Sequence, residues 1–340
     1  MKKILSLILA AIFCLTVCLV STSCAGSETE TGANTSADGS ETTATTDKKF
    51  NVGIVQLVQH EALDAATEGF KKALTDKLGE GNVTFDYQNA SGDTANCTTI
   101  VNNFVANKVD LIMANATPAL QAAYNATETI PILGTSVTEY GVALGIDNFN
   151  GTVGSNVSGT SDLAPLDEQA QMILDLFPEA KTVGLLYCNA EANSQYQVKV
   201  VKEYLEAKGI TCNTYTFSDS NDISAVTTAA AAEIDVLYIP TDNAAAASAE
   251  IIGNILRDKK IPAIAGEEGI CAKCGIATLS ISYYDLGYKT GEMAAEILLG
   301  SKKIEEMPIE YAPTTKKFNK TIADELGIAI PEGYVEIAAQ

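Results

Sequence analysis

Two sets of polar residues, each placed just after a short apolar run, hold the chemistry open to this chain. In the first half they are Gln59 and His60, Asn115-Ala116-Thr117, and Thr135-Ser136-Val137-Thr138. In the second half they are Asn189, Asn193 and Ser194, then Asp242 and Asn243, then Glu267. Hydroxyls and helix N-terminal amides in the first set suit an anion without any guanidinium. Carboxylates in the second set suit an ammonium. A neutral-donor face opposite an acidic face is the polarity that holds a zwitterion such as an α-amino acid. Thr117 and Asp242 have a second reading as N-caps of the helices that follow, a common use of Thr and Asp. Gln59 and His60 likewise either meet a ligand or cap the first helix.

From Phe50 onward the chain alternates strands and helices. Apolar runs at 51–55, 83–87, 110–114 and 130–133 alternate with helical patterns at 63–78, 94–107 and 118–126. Apolar strands separated by helices of this length predict a parallel sheet covered on both faces. The order then returns at near-constant spacing. Val183-Gly184-Leu185-Leu186 answers Val52-Gly53-Ile54-Val55, and Ile234-Asp235-Val236-Leu237 answers Val109-Asp110-Leu111-Ile112. Ile261-Pro262-Ala263-Ile264 answers Ile130-Pro131-Ile132-Leu133. The prediction is an α/β chain of two doubly wound parallel-sheet lobes, with ligand in the crevice at the carboxyl ends of the strands. Superposing the repeats pairs Thr117 with Asp242 and Ser136 with Glu267.

The segment ahead of this body reads differently. Lys2 and Lys3 precede an apolar run to Val20 and then small residues, the pattern of an export signal over 1–23. It resembles a bacterial lipoprotein signal with Cys24 as the lipidated residue, simple secretion being the alternative. Residues 25–49 contain no Val, Ile, Leu, Met or aromatic side chain and consist largely of Thr, Ala, Ser, Gly and acidic residues. Such a sequence buries too little apolar surface to fold, so 24–49 reads as a lipid-bearing cysteine and a disordered tether spanning roughly 25–30 Å.

Composition excludes several functions. A net charge of −21 over 340 residues repels nucleic acid and anionic lipid surfaces, which leaves the lipid anchor as the one membrane contact. A single histidine offers no His-rich metal site, and neither a Gly-x-Ser-x-Gly elbow nor a phosphate loop is present. No enzyme activity, cofactor or metal is expected. Cys271-x-x-Cys274 lacks a second pair for zinc and reads as a local disulfide or as two thiols.

Several strings resemble the substrate-binding lipoproteins of ABC importers, in the group linked to tryptophan and tyrosine uptake, whose fold is similar to the type I periplasmic binding proteins. They are Gln59-His60-Glu61-Ala62-Leu63-Asp64, Asn89-Ala90-Ser91-Gly92-Asp93, Ala116-Thr117-Pro118-Ala119, and Ser155-Asn156-Val157-Ser158-Gly159-Thr160-Ser161-Asp162. Tyr187-Cys188-Asn189-Ala190-Glu191-Ala192-Asn193-Ser194, Pro240-Thr241-Asp242-Asn243 and Tyr283-Tyr284-Asp285-Leu286-Gly287 extend the match. The resemblance implies a hinge of three chain segments, with one lobe of 50–162 plus 283–302 and another of 163–282 plus 303–340. It implies an ABC permease and its ATPase as partners. It also implies an aromatic amino acid as ligand, contacted by Asn115–Thr117, Thr135–Thr138, Asn193 and Asp242. Tyr140, Tyr283 and Tyr284 are candidate ligand walls or core residues. A branched-chain amino acid, a sugar or a nucleoside on the same scaffold, and a sensory ectodomain, are the alternatives.

Overall fold

The computed structural model describes residues 48–338, so the export segment, Cys24 and nearly all of the tether lie outside the described residues. The first lobe begins with β1 (Phe50–Gln56), α1 (Glu61–Leu78), β2 (Val83–Asn89) and α2 (Thr94–Asn107). It continues through β3 (Leu111–Asn115), α3 (Thr117–Ala126), β4 (Ile132–Val137), α4 (Tyr140–Leu144) and β5 (Val157–Ser161). The second lobe takes up α5 (Leu166–Leu176), β6 (Thr182–Cys188), α6 (Ala192–Ala207), β7 (Thr211–Phe217), α7 (Ile223–Ala230) and β8 (Val236–Ile239). After it come α8 (Asn243–Ala247), α9 (Ala249–Lys259), β9 (Ala263–Ala265), α10 (Glu268–Cys274) and β10 (Ala277–Ser280). The chain ends with α11 (Tyr283–Leu298), β11 (Glu310–Tyr311), β12 (Thr315–Phe318), α12 (Lys320–Leu326) and β13 (Val335–Glu336).

The internal repeat is visible in the strand order. One sheet runs β11-β5-β4-β3-β1-β2 and the other β13-β12-β10-β9-β8-β6-β7. Reading from β2 and from β7, the two sheets match strand for strand, and their first five strands are parallel. They diverge at the next strand, where β11 lies parallel to β5 but β12 lies antiparallel to β10. Every residue of β3 and β4 is buried, as an apolar run with no alternation requires of a strand covered on both faces.

Each sheet is sandwiched between helices. On one side of the first sheet, Phe104 of α2 and Leu120 of α3 meet Val55 and Ile112. On the other, Phe70 and Leu74 of α1 and Met293 of α11 meet Ile54 and Met113. A large side chain fully removed from water, such as Phe70, contributes about 1.5–3 kcal/mol. Helices α1 and α11 approach so closely that a Cβ on Gly287 would stand 1.9 Å from the Ala66 carbonyl oxygen, and one on Gly69 2.1 Å from that of Tyr284. Only glycine fits either position.

Three short segments pass between the sheets: 162–165 after β5, 281–282 before α11, and 312–314 between β11 and β12. The last lies further along the chain than the sequence suggested. Residues 303–311, assigned to the second lobe, remain with the first. Ile304 and Met307 pack beneath its sheet, and Glu310 and Tyr311 pair with Thr160 and Ser161. Among the described residues no helix is long and apolar enough to cross a membrane.

Candidate functional site

The carboxyl ends of the central strands of both sheets converge on a narrow cavity. The first lobe supplies His60 and Leu63 from the start of α1 and Ser136 from β4. Asp162 comes from the segment after β5 and Tyr283 from the first turn of α11, and the second lobe supplies Asn193, Thr241, Asp242, Asn243, Ala246 and Glu267. Its volume is about 10 Å³, room for roughly one water, so the lobes are shut against each other. A larger cavity of about 430 Å³ lies elsewhere, along the last turns of α11 near Lys289, Glu296 and Lys302, away from the carboxyl ends of the central strands.

Carboxylates dominate the second-lobe wall. Asp242 caps α8 by accepting from the Ala245 amide at 2.8 Å, and also accepts from the Cys188 amide and the Ser194 hydroxyl, each at 2.7 Å. Glu191 accepts from the Asn243 side chain at 2.6 Å, the Asn243 and Ala244 amides at 3.1 and 3.0 Å, and the Asn193 side chain at 3.1 Å. Glu267 caps α10 by accepting from the Gly269 amide at 2.7 Å and from the Ile270 amide. Asp162 accepts from the Tyr283 hydroxyl at 3.0 Å through one oxygen only. Among the described residues, no ion pair reaches any of these four buried carboxyls. Burial raises all four. Glu191, with Asp242 beside it, is pushed up to about 8 against the pull of its N–H donors, and Glu267 up to about 7.

Three cavity-lining polar atoms, Ser136 Oγ, Asp162 Oδ1 and Asn193 Oδ1, are buried with no hydrogen-bond partner. Leaving such a group unpaired costs about 1–3 kcal/mol, more when it is charged. Three of them in one cavity mark a place built for something else to complete.

The first-lobe wall is neutral and strained. Ala116, immediately before α3, has φ 93° and ψ 156°, a conformation native to glycine, and Ser136 has φ 54° where β4 shifts register against β5. Such residues cost on the order of 1–3 kcal/mol each and persist where a site demands them. Neither Ala116 nor His60 caps its helix with a side chain, so the first-turn amides of α3 and α1 stay available to an anion. Across the cleft His60 Nε2 meets Asn243 Oδ1 at 3.2 Å. Because the Asn243 amide nitrogen is spent on Glu191, its oxygen is the acceptor and His60 Nε2 the donor. Burial lowers the His60 pKa, which keeps the ring neutral near pH 7.

Of the residues read from sequence, His60, Ser136, Asn193, Asp242, Asn243 and Glu267 line the cavity. Ser194 backs it through Asp242. Thr117 is buried at the head of α3 with its hydroxyl unpaired. Others do structural work instead. Asn115 ties β3 to α1 by donating to the Leu63 carbonyl and the Thr67 hydroxyl, and Thr135 bonds Thr160 inside the sheet. Val137 belongs to the first-lobe core; Thr138 is buried with its carbonyl held by the Ser161 hydroxyl, and its side chain lies against the Asp162 carboxyl, lowering that pKa against the effect of burial. Gln59 and Asn189 are exposed and off the lining. By place in the fold Asp242 corresponds to Ala116, the residue before α3, and not to Thr117. Tyr140 is core, bonded to the Thr160 carbonyl; Tyr284 stacks on Tyr288 at the surface; Tyr283 alone of the three lines the cavity. Cys271 and Cys274 are buried free thiols, not a disulfide. Asp162 is not among the residues the sequence singles out; its signal is a lone carboxylate just past β5.

A second cavity, of about 180 Å³, adjoins the first. Leu57, Val58 and Pro118 face Cys188, Ala190, Ala244 and Ala247 across it, and Asn243 lines both cavities.

The model of a family described as ABC transporter substrate binding protein matches residues 51–340. A tyrosine-binding protein of Clostridioides difficile is 39% identical over 317 residues, which span 93% of this chain and 89% of that protein. Among solved structures, an ABC domain from Streptococcus pneumonia in complex with L-Trp is 31% identical, with a TM-score of 0.80 over 85% of this chain and all of that one. The ligand-free, open structure of a substrate binding protein with adhesive properties from Clostridium difficile is 39% identical, with a TM-score of 0.65 over 86% of this chain and 100% of that one. The more identical structure thus superposes less well. The lobes here are disposed as in the L-Trp complex rather than as in the open form.

Proposed function

This chain belongs to the ABC transporter substrate binding protein family, and on that premise we propose that it is the extracytoplasmic, lipid-anchored receptor of an importer, capturing an aromatic amino acid between its lobes for the permease and its ATPase. The observation that carries the ligand class is the cavity of buried polar atoms without partners, lined by three carboxyls and by no lysine or arginine. Asp162 Oδ1 and Asn193 Oδ1 are acceptors awaiting a donor, and an ammonium brings three. Ser136 Oγ, Thr117 Oγ1 and the open first turns of α1 and α3 are donors for a carboxylate. The aromatic preference follows the tyrosine and tryptophan in the relatives' descriptions. Lipidation at Cys24 joins the folded body to the membrane through the tether, and Cys24→Ala would release the protein into the medium.

Thermal-shift measurements against amino acids, sugars and nucleosides test the assignment. Ligand at 100 times its Kd stabilises the folded state by about 2.7 kcal/mol. Tyrosine, phenylalanine or tryptophan should raise Tm by several degrees; a rise with sugars or nucleosides and none with amino acids would overturn the reading. Mass spectrometry of small molecules released by denaturing the gently purified protein gives an independent answer.

A further inference from the structure

We propose that Glu191 is the positioning residue for closure: it holds the Asn243 side-chain amide so that the second lobe offers an acceptor to His60 on the first. This rests on the reading above only in taking the lobes to close around a ligand.

Glu191 is buried immediately before α6, yet its carboxyl does not cap that helix. It reaches instead to the start of α8. Oε2 accepts from the Asn243 side chain at 2.6 Å, and from the Asn243 amide and the Asn193 side chain at 3.1 Å each. Oε1 accepts from the Ala244 amide alone, at 3.0 Å. That uneven load gives a proton on this group its place on Oε1, so Oε2 stays an acceptor in either charge state. The distinction matters because burial and the neighbouring Asp242 push the Glu191 pKa up to about 8.

Asn193 would keep its orientation without Glu191, since its nitrogen also donates to the Thr241 carbonyl at 2.9 Å. Asn243 would not. Among the described residues its side-chain nitrogen has no second acceptor, and its oxygen meets His60 Nε2 on the other lobe at 3.2 Å. With Glu191 present, inverting the Asn243 amide would press its oxygen against Oε2. Without Glu191 both orientations are open, and the inverted one turns N–H groups toward His60. The ring could then accept only by moving its proton from Nε2 to Nδ1. Nothing else fixes that proton: the His60 side chain caps no helix, and burial keeps the ring neutral. A carboxyl on one lobe thus decides the tautomer of a histidine on the other, and with it the contact made on closing.

The test reads the His60 ring nitrogens by long-range ¹H–¹⁵N NMR in the untagged mature protein, where a single histidine leaves no doubt of assignment. With saturating tyrosine, wild type should show the Nε2–H form. Glu191→Ala should populate the Nδ1–H form and weaken tyrosine at least about tenfold. Glu191 lines the adjoining cavity, so water can meet the donors this variant frees and the fold should survive. Glu191→Gln, whose carbonyl can take the place of Oε2, should keep the Nε2–H form and bind within about threefold of wild type. A merely structural role would weaken binding without moving the proton. The Nδ1–H form in wild type, or the Nε2–H form retained in Glu191→Ala, would overturn the positioning role and leave the amino-acid reading intact. Failure of tyrosine to bind wild type would overturn that reading alone. The positioning role is then decided in the ligand-free protein, where the Asn243 side-chain N–H should exchange with water at least about tenfold more slowly in wild type than in Glu191→Ala. Equal rates would overturn it.

Discussion

Asp162→Asn separates the binding role of this carboxyl from its cost to the fold. Asp162 is buried, spends one oxygen on the Tyr283 hydroxyl at 3.0 Å and leaves the other unpaired in the cavity. Burial already pushes its pKa up, the sign of a charge the empty site does not compensate. Asparagine keeps the shape and, with its oxygen on Tyr283, turns an N–H toward the ligand. An ammonium then loses a charged acceptor and meets a donor. Removing one partner of a buried ion pair costs about 3–5 kcal/mol, equivalent to roughly 10² to 4 × 10³ in Kd. The ligand-free protein should move the other way, gaining up to about 1 kcal/mol because an uncompensated carboxyl is gone. The assay pairs titration calorimetry, using tyrosine and its desamino analogue 3-(4-hydroxyphenyl)propionate, with urea denaturation of the ligand-free protein. Tyrosine should lose at least 100-fold and the analogue less than fivefold. Equal losses for both ligands, or a less stable ligand-free protein, would refute the assignment of the ammonium to Asp162.

Three further outcomes follow from the same geometry. Asp242→Asn should destabilise the fold by about 1–3 kcal/mol in urea, because its oxygens hold the Cys188 and Ala245 amides and an amide nitrogen would face one of them. Raised carboxyls make the folded ligand-free protein bind more protons than the unfolded chain. Its stability should therefore be full near pH 4 and fall as pH rises through the Glu267 and Glu191 values of about 7 and 8. Tm measured at intervals from pH 5 to 8.5 checks the sign, and calorimetry in buffers of different ionisation enthalpy should register proton release on binding near pH 7. Ala116→Gly should raise stability by about 1 kcal/mol, since relief of its φ of 93° outweighs the extra freedom of an unfolded glycine; chemical denaturation reads it.

The lobes were legible because their strands are unbroken apolar runs and because the runs return in order. Val52, Leu111 and Ile132 in one sheet and Val183, Val236 and Ala263 in the other follow the same parallel sequence. The last crossing was not legible, because β11 is two residues long, and Glu310 and Tyr311 carry no pattern that names the strand they join. The site divides in the same way. That His60, Ser136, Asn193, Asp242 and Glu267 would converge followed from their places after predicted strands. What each carboxyl does there did not, because the partners that occupy Asp242 and leave Asp162 open come from remote parts of the chain. Asp242 meets an amide at the end of β6 and a hydroxyl on α6, whereas Asp162 Oδ1 has no hydrogen-bond partner. A carboxyl consumed as a cap and one held for a ligand look alike until their neighbours are known.

The path of the chain between the sheets also dictates an order of assembly. The first lobe opens the described chain, yet α11 and β11, which cover α1 and extend its sheet, arrive only after the whole middle of the second lobe. Phe70 and Leu74 therefore cannot be sealed from water until residue 283 onward is present, and the glycine-tight seating of α11 on α1 is among the most distant pairings in the sequence. Contacts of that kind form late and slow folding. The second lobe, nearly continuous from α5 to β10, is the half able to mature first. A fragment ending at β10 would hold one almost complete lobe and one that exposes a greasy face. The half made first therefore cannot lock until the rest of the chain has been made.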